Sequence, residues 1–357
     1  MAETRARDTA DVVADVPLLA AGLSNRNLLF NGAMQVAQRG TSTAGITGTG
    51  GYYTADRWGC LFDFGTWTQS VENDAPTGSG LRKSLKMLCT SANASPSASN
   101  QNRVTQFLEG QDLQRIAKGT SGAHELTVSF WVKSNNTGTY TVTLSDTDNS
   151  RLVSAQYTVN ASAEWERKEV TFPADTTGAF DNDDSGSLYL LFYLGVGSDR
   201  SSGTLATDWE PVAIGNIAPG QTNLAAATNN YWQVTGVQLE AGPVATGFEH
   251  KSYGAELAEC QRYYEACSFN GAGWITSAGS ARTGGNWHVQ KRATPSLHGS
   301  AGTGFIQYGP GGQQTISSIS TFQGTSSGVL FDVIVPSGLT TNHPCTIQVA
   351  VFANAEL

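Results

Sequence analysis

The residues best placed for chemistry in this chain are rings. Trp274, Trp287 and Tyr308 flank polar, Gly-rich turns in the C-terminal segment, with Asn286 and His288 directly beside Trp287. The apolar face of a sugar stacks on an aromatic ring, and neighbouring amide or imidazole groups set its orientation. Trp274, Trp287, His288 and Tyr308 are therefore the candidate glycan-binding residues. Core packing or a subunit interface is the competing role for each ring. Trp67, Trp165 and Trp209 are further candidates, whereas Trp58, Trp131 and Trp232 lie in strand-like stretches and read as core.

Catalytic chemistry is poorly represented. Glu164 and Glu166 would share one face of a strand about 7 Å apart, within the spacing of glycosidase carboxylates. A solvated strand face explains them more simply, and no catalytic residue is assigned. The five histidines form no HExxH or comparable metal pattern, and there is no GxSxG elbow or P-loop. The chain lacks the long repeats of parallel β-helix depolymerases. Two acidic turns, Asp181 to Gly186 and Asp146 to Asn149, could each hold a structural calcium, although neither matches an EF-hand loop. Otherwise no metal and no cofactor is expected.

Composition narrows the class. The chain has 357 residues, 40 of them Gly, and only 14% are charged. Two or three domains with many tight turns suit these figures better than a helical bundle. A net charge of -9 argues against nucleic acid and against an anionic membrane as partners. No stretch approaches the roughly 18 apolar residues that read as a membrane span. The N-terminal apolar patch around Val16 to Ala21 is too short for a signal core. Cys60, Cys89, Cys260, Cys267 and Cys345 are scattered and odd in number, so they read as small apolar residues. Cys260 and Cys267, seven apart, would share a helix face.

Four segments follow. Residues 1–24 carry charges and small residues without strand alternation and read as an attachment arm. Residues 25–250 read as a β-sandwich or jelly roll, because short alternating strands recur between Gly, Asn and Asp turns. The run Leu188 to Leu194 is nearly all apolar, so it should be a central strand covered on both faces. Gln106 to Ala117 reads as a strand entering a short helix. Residues 251–269 form a linker, with a helix from Ser252 to Glu265 whose apolar stripe is Leu257, Cys260, Tyr263 and Tyr264. Residues 270–357 read as a second β-sandwich domain with variable-looking polar loops.

Four blocks carry a wider likeness: NLLFNGAMQVAQRGTS from Asn27, YTADRW from Tyr53, YWQVTGVQLEAG from Tyr231 followed by YGAELAECQRYYE, and the terminal ANAEL. Together they resemble bacteriophage tail-fibre and virion-surface proteins with a carbohydrate-binding-module-like jelly roll. VSFWVK at Val128 is similar to a strand of carbohydrate-binding modules. The resemblance implies a virion location after synthesis in the host cytoplasm. It also implies a homotrimer, docking of the arm onto other virion proteins, and host-surface glycan as ligand, with the C-terminal domain as the expected point of contact. A capsid decoration protein and a glycan hydrolase are the rival expectations.

Overall fold

The computed structural model describes residues 25–299, 304–309 and 312–357, so the expected arm lies outside the described residues. Alternation of apolar and polar side chains builds the first unit from thirteen strands: β1 (Ser42–Ile46), β2 (Thr49–Tyr52), β3 (Gly59–Phe62), β4 (Thr66–Glu72), β5 (Ser84–Ser91), β6 (Gln101–Glu109), β7 (Leu126–Ser134), β8 (Gly138–Asp146), β9 (Arg151–Val159), β10 (Glu166–Phe172), β11 (Gly186–Val196), β12 (Glu210–Pro211) and β13 (Tyr231–Ala241). They form two antiparallel sheets, in the orders β1-β4-β5-β13-β7-β10 and β12-β9-β8-β11-β6-β3-β2. This is the expected jelly-roll sandwich. A one-turn helix, α1 (Gly110–Leu113), follows β6, as the sequence around Gln106 to Ala117 predicts.

Every second residue points between the sheets. Val128, Phe130 and Val132 of β7 meet Leu188, Leu190, Phe192 and Leu194 of β11, all buried. Phe130 and Phe192 contact edge to face at 5.0 Å, and Trp232 lies 5.5 Å from Phe192. The indole of Trp232 donates to the Tyr157 hydroxyl at 3.0 Å, so this buried polar group is satisfied. A bulge between Thr235 and Gln238 bends β13, and Gly236 sits there at φ +61°, in the left-handed region that favours glycine. The segment after Asn27 locks onto this bulge. The Asn27 side chain bonds the backbone of Val237 and Leu239, and a Cβ on Gly32 would collide with the Val237 carbonyl.

A nine-residue helix, α2 (Tyr253–Gln261), separates the two β units, with the Ser252 hydroxyl accepting from Ala255 N at its start. It is shorter than the expected Ser252 to Glu265. From Tyr264 onward the backbone is claimed by pairing with the last strand, beginning at Tyr264 opposite Asn354. Cys267 is consequently on a strand, so Cys260 and Cys267 share no helix face, and all five cysteines are free. The C-terminal unit is one continuous antiparallel sheet: β14 (Tyr264–Ser277), β15 (Ser280–Asn286), β16 (Ser296–Gly299), β17 (Phe305–Tyr308), β18 (Gly312–Thr315), β19 (Ser318–Gly324), β20 (Gly328–Ile334) and β21 (Pro344–Asn354), in the order β18-β17-β21-β14-β15-β20-β19 with β16 also paired to β21. It curls until β16 lies beside β19, enclosing Ile275, Phe331, Val333, Ile347, Val349 and Val351. No helix among the described residues is long and apolar enough to cross a membrane.

Charged groups cement the two units together. The Arg57 guanidinium is wholly buried, pairs with the Glu356 carboxylate, donates to Phe107 O at 2.6 Å and lies 3.4 Å above the Tyr263 ring. Arg39 reaches the same carboxylate at 3.1 Å and covers the Tyr264 ring at 3.5 Å. Glu256 of α2 accepts from Asn31 N, and Arg262 pairs with Glu109 at 2.7 Å. Removing one partner of a buried pair leaves the other charge uncompensated. Glu356→Ala should therefore cost about 3–5 kcal/mol, read as a lowered denaturant midpoint for the full chain.

Acid should loosen the fold. Burial alone would raise the carboxyls of Glu109, Asp175 and Glu265. Hydrogen bonds from Arg262, Arg151 and Lys291 respectively outweigh it and hold all three below their ordinary values. Their contribution is complete above the unfolded values and is lost as pH falls through the lower folded values. Asp56 runs oppositely: burial, only partly countered by Gln38 and Arg39, pushes its carboxyl up to about 6, so its contribution improves as pH falls below that. Denaturant titrations from pH 7 to pH 3 should show net loss of stability below about pH 4, with Asp56→Asn removing the opposing component.

Candidate functional site

The second sheet has an outward face that the sequence reading did not single out. On β11, Leu188, Leu190 and Phe192 point into the sandwich, which turns Tyr189, Leu191 and Tyr193 outward. Antiparallel register then lays side chains in rows. Tyr193 lies between Arg103 of β6 and Thr141 of β8; Leu191 lies between Thr105 and Thr143; Tyr189 lies between Phe107 and Ser145. Leu191 and Tyr193 are nonetheless buried, because Ala206, Ile217 and Ala218 of the long connection before β13 fold over them. That accounts for the uninterrupted apolar run: β11 is central and covered on both faces, as expected.

Where this cover ends, a cleft of about 190 Å³ opens. Leu191 and Tyr193 form its floor and Tyr189 one wall, while Val212 and Ile214 rim it at 46% and 51% exposure. Gln101, Arg103, Thr143, Ser145 and Arg200 supply polar lining, and no carboxylate lines it among the described residues. The Tyr189 ring stands edge-on to Phe107 at 3.8 Å. Burial raises its phenol above the ordinary value, against the charge of Arg103. Several polar atoms on this one face are buried without a hydrogen-bond partner among the described residues: Gln101 Oε1, Arg103 Nε, Thr105 Oγ1 and Thr141 Oγ1. An unsatisfied buried group costs about 1–3 kcal/mol, so such a cluster calls for a reason. Rings, an apolar rim and unsatisfied donors and acceptors are what a small polar ring-shaped ligand needs.

The four residues expected to bind glycan are not brought together. Trp274 is half-exposed on β14. Trp287 is 6% exposed, packs edge-on against Phe269 and donates to Thr325 O at 3.2 Å. Tyr308 is also buried, its hydroxyl donating to Gly338 O at 2.5 Å. These two rings point into the C-terminal core, where no sugar can stack on them, because strand alternation places them inside the curl. The His288 side chain is 71% exposed and bonds Glu265 Oε1 at 2.5 Å. Glu265 and Trp274 are nine positions apart on β14, so His288 and Trp274 are separated by roughly 30 Å along the strand. Trp67 and Trp209 are core residues too, and Trp165 donates to Asp74 at 3.2 Å. A second, shallower groove of about 310 Å³, between Gly285 and Leu330, contains none of the four.

The carboxylates also have structural work. β10 starts at Glu166, leaving Glu164 in the preceding turn. Glu166 accepts from Asn160, Ala161 and Lys168, which hold its carboxyl at about 2 against the opposing effect of burial. In the first acidic turn, Asp146 is tied to Lys118 Nζ at 2.6 Å and to Asn149. The same buried ammonium contacts Asp175 at 3.1 Å and the carbonyls of Thr177 and Gly178 at 3.0 and 2.7 Å. In the second turn, Asp183 accepts from Ser185 N, and Asp181 N donates to Asp148. Core and surface rings should separate by stability: Trp287→Ala should cost about 3–5 kcal/mol, and Trp274→Ala under about 0.5 kcal/mol, in urea denaturation of the full chain.

No protein-family model matches this chain, and no curated protein matches it. Among solved structures, the chain is similar to the enzymatically active domain of bacteriophage CBA120 tailspike protein 4, with TM-score 0.33 and 12% identity over 60% of this chain and 21% of that one. It is similar to the family 11 carbohydrate-binding module of Clostridium thermocellum in complex with a mixed-linked tetrasaccharide, with TM-score 0.28 and 12% identity over 53% of this chain and 91% of that one. The CBM22-1 xylan-binding domain of Paenibacillus barcinonensis Xyn10C gives TM-score 0.27 and 11% identity over 61% and 96%. The match thus spans about a fifth of the tailspike chain but nearly all of each binding module.

Proposed function

We propose that this chain is a virion-surface protein that attaches to host glycan, and that its jelly roll is the binding module. The observation that carries the reading is the outward cleft of the second sheet. There Tyr189 and Tyr193 meet unpartnered polar atoms of Gln101 and Arg103 beneath an apolar rim. The sequence blocks that resemble tail-fibre proteins supply the virion context. The proposal is one of binding alone, since glycoside hydrolysis uses a pair of carboxylates and this cleft is lined by Arg, Gln, Tyr, Thr and Ser. A cleft this small engages one ring at a time, which gives weak single-site affinity. Several copies on one particle, a trimer in this proposal, would supply avidity.

Whole-cell binding of the full chain tests the reading. Tyr189→Ala should reduce binding at least tenfold while costing only about 1–2 kcal/mol of stability, the loss of its half-buried contact with Phe107. Trp274→Ala should bind like the parent. The reverse pattern would move host contact to the outer face of the C-terminal sheet. Immunogold labelling of particles distinguishes a tail protein from a capsid decoration protein.

A further inference from the structure

We infer that the cleft takes an anionic sugar, one whose ring carries a carboxylate or a sulfate, in preference to a neutral one. The inference rests on the glycan-binding reading above and adds its ligand class. Arg103 is the key. Its register opposite Tyr193 places it on the outward face of β6, and it lines the cleft. Yet its guanidinium forms no ion pair and no hydrogen bond among the described residues, and its Nε is buried without a partner. Four other buried or half-buried arginines are matched with acids, Arg57 with Glu356, Arg151 with Asp175, Arg262 with Glu109 and Arg282 with Asp332, while Arg26, Arg200 and Arg292 donate to carbonyl or hydroxyl oxygens. Arg103 is left without an acid in a protein of net charge -9, where carboxylates are plentiful.

The rest of the lining agrees in sign. Arg200 adds a second positive charge, and its position is held by donation to Ser99 O at 2.5 Å. No Asp or Glu lines the cleft among the described residues. A guanidinium binds the flat, two-oxygen edge of a carboxylate or the oxygens of a sulfate through paired N–H donors. Gln101 Oε1, buried and unpartnered in the same lining, is an acceptor suited to a sugar hydroxyl. The acid of the ligand would therefore pair with the guanidinium that the protein leaves without one, while Tyr189 offers a ring to stack on.

Three matched probes test this by calorimetry on the full chain: oligogalacturonate, a sulfated galacto-oligosaccharide and the neutral galacto-oligosaccharide. The parent should bind one or both acidic probes at least tenfold more tightly than the neutral one, and which acidic probe wins identifies the acid. The preference should shrink as salt is raised. Arg103→Gln should lose roughly ten- to a hundredfold on the acidic probe and under about twofold on the neutral one. The variant breaks no bond within the protein, so its unfolding midpoint should match the parent's; Arg103→Lys should retain part of the acidic preference. Equal binding of acidic and neutral probes by the parent would overturn the inference while leaving glycan binding in place. So would an Arg103→Gln variant that keeps its preference. Failure of the parent to bind any glycan, in this assay and to cells, would remove the underlying reading and this inference with it.

Discussion

The contact between the Arg57 guanidinium and the Glu356 carboxylate governs the arrangement of the two β units. A buried cation in a protein interior is tolerated when it is neutralised and most of its donors are occupied. Burial alone would lower the Arg57 pKa, but the charge of Glu356 reverses the effect and holds the guanidinium ionised. The partners come from widely separated parts of the chain. Arg57 lies in the jelly roll, Tyr263 beneath it lies in the turn between α2 and β14, and Glu356 is the second-last residue. The charge requirement thus recruits the end of the second unit into the edge of the first. Arg292 extends this by donating to Ala355 O, and the buried Lys291–Glu265 pair anchors the start of β14 nearby.

This junction explains the sequence blocks that carry the likeness to virion-surface proteins. The first block holds Asn27, Asn31, Gln38 and Arg39; the second holds Asp56, Arg57 and Trp58; the third holds Glu256, Arg262 and Tyr263; the last holds Glu356. All of them meet there or on the β13 bulge beside it. The residues that carry the resemblance are thus the mortar of the two units and lie apart from the lining of the cleft. The cleft is built on outward positions of β6, β8 and β11, which can change without disturbing this joint.

Much of the architecture was legible. Period-two alternation marks β7 to β10 and β13, and the unbroken Leu188 to Leu194 run marks a central strand, whereas β1 to β5 carry no comparable signal. The start of the helix at Ser252 is legible as well. The end of α2 was not, because residues 262–265 satisfy a helical stripe equally well and only pairing with β21 decides against it. For Trp287 and Tyr308 polar neighbours suggest a glycan-binding role and strand context suggests core packing, and the structure places both in the core. A one-residue difference in phase turns a strand residue from the loop side to the core, and composition does not reveal that phase. A usable signal for the cleft existed in the outward tyrosines at 189 and 193, four apart on one strand face.

Chain order over short stretches suffices for many of the elements, because strand alternation, turn residues and helix caps act over a few positions. Tertiary structure alone decided what meets at the junction and in the cleft. Arg57 and Glu356 are 299 positions apart, and the cleft gathers Arg103, Tyr189 and Ile214 from two strands and a connection. Contacts at such separations leave no local period in the sequence. They arise only once two sheets have packed and a long connection has folded over one of them, leaving Arg103 without an acid or a hydrogen-bond partner among the described residues.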